Sequence, residues 1–88
     1  MIWKIEYTRT AANQLKKLDK QAAQRILDYL DTQIACLENP RTRGKALSGP
    51  LGELWRYRVG DFRVICHIED DRMRILVITT GHRKNIYK

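Results

Sequence analysis

Apolar side chains recur with period two at both ends of this chain and with helical period between them. Ile2 to Tyr7 alternates, with Trp3, Ile5 and Tyr7 against Ile2, Lys4 and Glu6, as in a half-buried strand. Ala11, Leu15 and Leu18 then sit at helical spacing with Lys16 and Lys17 outside, and Thr8 and Thr10 both suit the N-cap. A second helix is predicted from Asp19, with a stripe of Ala23, Ile26, Leu27, Leu30, Ile34 and Leu37. Arg25, Asp28, Asp31 and Glu38 lie mostly off that stripe. Asn39-Pro40 should end the helix, because a residue before proline is pushed out of the α region. Residues 39–53 read as one long loop of three glycines and two prolines, pinned by Leu47 and Leu51.

Three strands follow. Leu54–Val59 turns at Gly60-Asp61 into Phe62–Glu69, and Asp70-Asp71 turns into Arg74–Thr79, after which the chain leaves the sheet at Gly81. Trp55, Tyr57 and Val59, with Phe62, Val64, Cys66 and Ile68, make the core face. Ile75 to Ile78 is apolar on both faces, which marks a central strand. The fold class is therefore α+β. An N-terminal strand, an αα-hairpin and a three-stranded antiparallel meander form one mainly antiparallel sheet, its helices packed on one face. Eighty-eight residues predict a single domain over 1–88.

The charge is uneven. Residues 1–40 carry six basic and five acidic side chains, whereas residues 41–88 carry eleven and five. An excess held on the strand-rich half points to a polyanion or an acidic protein partner. Arg56 and Arg58 share a strand face, with Cβ atoms about 6–7 Å apart, and Arg63 shares its face with Ile65 and His67. Such a row either grips phosphate or is a solvated outer face. Cys36 and Cys66 stand in apolar surroundings and read as buried thiols. The chain has no CxxC, no Gly-rich phosphate loop and no poised carboxylate pair, so neither metal nor cofactor is expected. It has no secretory h-region and no spanning apolar run, which predicts a cytoplasmic protein away from the membrane.

The order strand, two helices, basic loop and three strands, with WRYRVGDFRVIC and the closing GHRKNIY, resembles the RelE/ParE superfamily of toxins. The resemblance covers essentially the whole chain and implies a toxin of a toxin–antitoxin pair with a RelE-like fold. RelE-type members cut messenger RNA in the ribosomal A site, and ParE-type members instead poison DNA gyrase. In the RelE pattern basic residues match Arg56, Arg58, Arg63 and Arg83, with a tyrosine at Tyr87. The first two are typically lysine in RelE-type nucleases, and arginine is a poor general base.

The resemblance implies a ribosome-dependent messenger RNA endonuclease, an enzyme attacking phosphate through the ribose 2′-OH. The alternative is a gyrase inhibitor without chemistry of its own. Arg63 and Arg83 are the expected transition-state cations, while Arg56 and Arg58 hold flanking phosphates. Arg41, Arg43, Lys45 and Lys84 extend the phosphate-binding set. His82 and Tyr87 are the candidates for proton transfer. Tyr87 could instead stack on a base or pin the tail, and His82 could be a surface histidine. Implied partners are a RelB-like antitoxin, acidic or amphipathic, with the ribosome and messenger RNA, or gyrase under the alternative.

Overall fold

The computed structural model describes residues 2–47 and 54–82. Strand β1 (Lys4–Tyr7) leads into α1 (Arg9–Lys17) through Thr8, whose hydroxyl does two jobs. Its oxygen accepts the Ala11 N–H at 3.1 Å, capping the helix, and the hydroxyl donates to the Ile78 carbonyl at 2.8 Å. Thr8, not Thr10, is thus the cap, and it ties the helix start to the sheet. Leu18 is extended and breaks the helix, and Asp19 accepts from the Gln21 and Ala22 N–H groups to open α2 (Lys20–Tyr29).

The helix does not run to Asn39-Pro40 as expected. A wider π-turn, Leu30–Ile34, closes it, with the Ala35 N–H reaching Leu30 O at 2.9 Å. With that extra residue in the turn, Leu30 and Ala35, five apart, are both at zero exposure, as is Ile34. Asn39 instead caps a 3₁₀ turn, Pro40–Thr42, by accepting from the Arg41 N–H at 3.0 Å.

The long loop also holds a strand that periodicity missed. Lys45–Ala46 forms β2, too short for any alternation to show. With β3 (Trp55–Val59), β4 (Phe62–Glu69) and β5 (Arg74–His82), the sheet has five strands in the order β1-β5-β4-β3-β2. Among the described residues, only β1 and β5 pair in parallel. β5 lies inside the sheet, as its two apolar faces predict, but it continues through Gly81 to His82. The β4–β5 connection is a 3₁₀ turn, Asp70–Arg72, closed by Met73 at φ +50°. The helices cover one face, where Trp3, Ile26, Leu30, Tyr57, Val64, Cys66, Ile75 and Val77 form the core. Full burial of one such aliphatic side chain contributes about 1.5–3 kcal/mol. Cys66 is buried as expected, but Cys36 is exposed, its thiol donating to the Thr32 carbonyl at 3.0 Å. Its i−4 backbone acceptor, not the core, takes that thiol. No described helix is long and apolar enough to cross a membrane.

Candidate nucleic-acid interface

The β3–β4 hairpin sets the geometry of the basic face. Val59 pairs with Phe62, leaving Gly60 and Asp61 as a two-residue loop. Gly60 has φ +61° while Asp61 stays out of the positive region, the mark of a type II′ turn. This turn places Arg58 directly opposite Arg63, and Arg56 opposite Ile65. Opposed residues share a face, so Arg56, Arg58 and Arg63 project together on the side away from the helices. Like charges facing across a ladder repel, so the arrangement costs stability and calls for an anion. Arg63 sharpens the point: its Nη1 is buried and has no hydrogen-bond partner among the described residues. An unsatisfied buried donor is expensive to keep.

These arginines ring an open hollow of about 230 Å³, with Lys45, Gly44 and Tyr29 completing the wall. It forms where β2 ends. Lys45 and Ala46 pair only with Arg56 and Trp55, so among the described residues no strand covers the β3 edge beyond Arg56. Tyr57 is the post beneath it. Its hydroxyl donates to the Pro40 carbonyl at 2.7 Å, and its ring meets Tyr29 edge-on at 6.5 Å. The Trp55 indole N–H donates to the Arg43 carbonyl at 2.7 Å, holding the basic loop against the strand.

Burial drives the Tyr57 phenol upward and pushes Tyr7 up to about 12, against an ordinary value of 10.0. Raised phenols give full stability below pH 10.0 and lose it as pH climbs through the folded values. Burial drives the Cys66 thiol up from 9.0 in the same way, so urea unfolding should be flat from neutrality to pH 9.0 and weaken above it. Tyr57→Phe should cost about 1 kcal/mol at neutral pH and remove part of that alkaline loss.

The other candidates disperse. Arg41 makes a two-pronged ion pair with Asp70, both contacts 2.9 Å, at the β4–β5 end of the sheet. Its guanidinium holds the Asp70 carboxyl below the usual range, so its charge is answered within the chain. Arg74 is likewise committed to Glu69 at 2.7 Å and Glu6 at 3.2 Å. Arg43 is exposed beside its tethered carbonyl. His82 pairs with Phe62 and meets its ring edge-on at 5.8 Å, on the helix-side face and away from the arginines. A register shift between Ile65 and Cys66 reverses the alternation of β5: Val77 and Thr80, three residues apart, both face the core strand. His67 lies beside Glu69 at 3.8 Å, beyond Ile65. Arg83, Lys84 and Tyr87 fall outside the described residues, as does Leu51. Gly44 and Tyr29 were missed as wall residues. A glycine between Arg43 and Lys45 was the available signal for the first, and an aromatic off the apolar stripe for the second.

Among the described residues, no group of three or more His, Cys, Asp or Glu side chains is placed to hold a metal ion. The family model described as ParE toxin of type II toxin–antitoxin system, parDE, matches residues 5–87. Toxin RelE of Mycobacterium tuberculosis is 31% identical over 84 residues, covering 96% of this chain and 84% of the relative. Toxin RelG of the same organism is 24% identical over 88 residues, covering 100% and 99%. Among solved structures, the RelBE2 toxin–antitoxin complex from M. tuberculosis matches with a TM-score of 0.84 at 22% identity, covering 94% of this chain and 100% of that one. The archaeal RelE–RelB complex from Pyrococcus horikoshii gives 0.69 at 24% identity, covering 97% and 99%.

Proposed function

The chain belongs to the ParE toxin family of type II toxin–antitoxin systems, within the RelE/ParE superfamily, and on that premise we propose that it cuts messenger RNA on the ribosome. The observation that carries this reading is the buried Arg63 Nη1, unpartnered among the described residues, in the hollow with Arg56, Arg58 and Lys45. A 2′-oxygen attacks the adjacent phosphorus, its proton leaves to a base, and the 5′-oxygen departs with a proton from an acid. Charge builds on the non-bridging oxygens, and fixed cations stabilise it without reorganising. Arg63 and Arg83 serve there, and Arg56, Arg58 and Lys45 hold the flanking phosphates. His82, on the opposite face against Phe62, holds the end of β5. Proton transfer falls to Tyr87 and to groups the ribosome brings. An antitoxin, by likeness to the RelB-bound structures, covers the toxin and keeps it inactive.

The gyrase reading draws on a separate observation: no histidine or carboxylate lines the arginine hollow, so the chain's described residues supply no base there. Pulse labelling after induction without the antitoxin separates the two. Protein synthesis should stop first, with DNA synthesis following. Early loss of DNA synthesis under continued translation would transfer the protein to the gyrase class.

A further inference from the structure

The arginine hollow does not stop at the sheet edge. Tyr29 and Arg58 line it and also line a second, wider hollow of about 420 Å³, which runs over α2 past Arg25, Gln33 and Gly60. The tight hairpin turn brings α2 and β3 together. A Cβ on Gly60 would stand 3.1 Å from Arg25 Nη2, and the Gly60 carbonyl accepts from Arg58 Nε at 3.4 Å. Arg25 and Arg58 therefore flank one turn from two sides. Neither has a carboxylate within 4.0 Å among the described residues. Asp28 also lines this hollow, but its carboxylate accepts from Gln24 at 2.8 Å and leaves Arg25 unpaired.

Arg25 beside Arg58 carries the row of cations past the arginine hollow, and such a row suits a ligand with repeated charge. Beside that row stands Tyr29, half-buried and braced edge-on by Tyr57, offering a ring where the two hollows meet. Cations at intervals with an aromatic between them suit single-stranded nucleic acid, whose bases stack on rings while the backbone meets arginines. An acidic peptide would use the cations and leave the ring idle.

We propose that Arg25, Tyr29 and Arg58 form a second RNA subsite, which holds the nucleotide beyond the two gripped at the arginine hollow. The strand then bends around the uncovered edge of β3 from the sheet face onto α2. This rests on the RNA reading above and adds a helix-borne grip to it.

Fluorescence anisotropy of the full chain with labelled single-stranded RNA tests it, using a dinucleotide and a hexanucleotide over a range of salt. Arg25 is exposed, so Arg25→Gln should fold normally, which a thermal melt confirms. It should weaken hexanucleotide binding roughly fivefold to tenfold, lower the salt slope by about 0.7, and leave the dinucleotide unaffected. Tyr29→Leu should lose roughly tenfold on the hexanucleotide, and Tyr29→Phe should keep its affinity. If Arg63→Gln loses both oligonucleotides while Arg25→Gln and Tyr29→Leu lose neither, the subsite is wrong and the RNA reading stands. If the unaltered protein binds neither, both fall. An equal loss of affinity for a decaglutamate peptide in Arg25→Gln would reduce the subsite to undifferentiated charge and overturn it.

Discussion

Arg63→Leu should abolish toxicity while making the folded protein slightly more stable. Most substitutions of a half-buried residue in a central hairpin destabilise, so the opposite sign is diagnostic. Arg63 stands opposite Arg58 across the ladder and keeps Nη1 buried without a partner among the described residues. Leucine removes the facing charge and the unsatisfied donor, and its branched side chain still covers the neighbouring Ile65 face. Relief of those two penalties should raise the unfolding free energy by about 1 kcal/mol. Activity should move the other way. Single-turnover cleavage of ribosome-bound messenger RNA should fall on the order of 10²–10³, the usual loss for a preorganised donor to a developing anion. The two measurements are urea unfolding and single-turnover cleavage on purified variants. A variant that loses stability and activity together would make Arg63 a structural residue and remove the main support for the phosphate grip.

That trade of stability for charge was partly readable in the chain itself. WRYRV and FRVIC alternate so strictly that the arginine face and the Tyr57 face follow from strand period alone. The two-residue Gly60-Asp61 loop then fixes which arginines oppose one another. Thr8 and Asp19 were legible because capping side chains act within three residues of themselves. Most of what escaped rests on contacts between residues far apart in the chain. β2 is two residues long and exists because Gly44 lets the loop lie against β3, which no local pattern announces. The π-turn at Leu30 departs from the 3.6 period that was used to find the helix. The face of His82 depends on one extra residue in β5, set by pairing with β4 and invisible to counting along β5. Arg41 looked like a free loop cation because Asp70 lies 29 residues away. Recognising a basic patch from composition therefore overcounts, since ion pairs with distant carboxylates withdraw members from it.

The wall of the hollow supplies the second large effect, a substitution of one methyl group. Gly44→Ala should unfold the protein at far lower temperature than Gly60→Ala, although both glycines have positive φ, +78° and +61°. At Gly60 an added Cβ meets only the guanidinium end of Arg25 at 3.1 Å, a group that can swing aside. At Gly44 it meets the Arg56 carbonyl oxygen, then Trp55 Nε1 at 2.6 Å and Tyr57 Cδ1 at 2.9 Å. None of these can yield. The carbonyl belongs to β3, the indole is tethered to Arg43, and the Tyr57 ring is fully buried with its hydroxyl held by Pro40. Left-handed strain of about 1–2 kcal/mol is common to both sites, and forced repacking adds about 1–3 kcal/mol at Gly44 alone. For a domain of this size each kcal/mol moves Tm by roughly 4–8 °C. Gly44→Ala should thus melt roughly 4–24 °C below Gly60→Ala. Below its melting temperature the Gly44 variant should also be less toxic than Lys45→Ala. Its loop is pushed off β3 and takes both the Lys45 cation and the hollow's wall with it. Equal melting temperatures for the two alanine variants would show that φ alone governs both positions. The loop would then be free to move without disturbing the arginines, and the hollow would owe its shape to the hairpin rather than to Gly44.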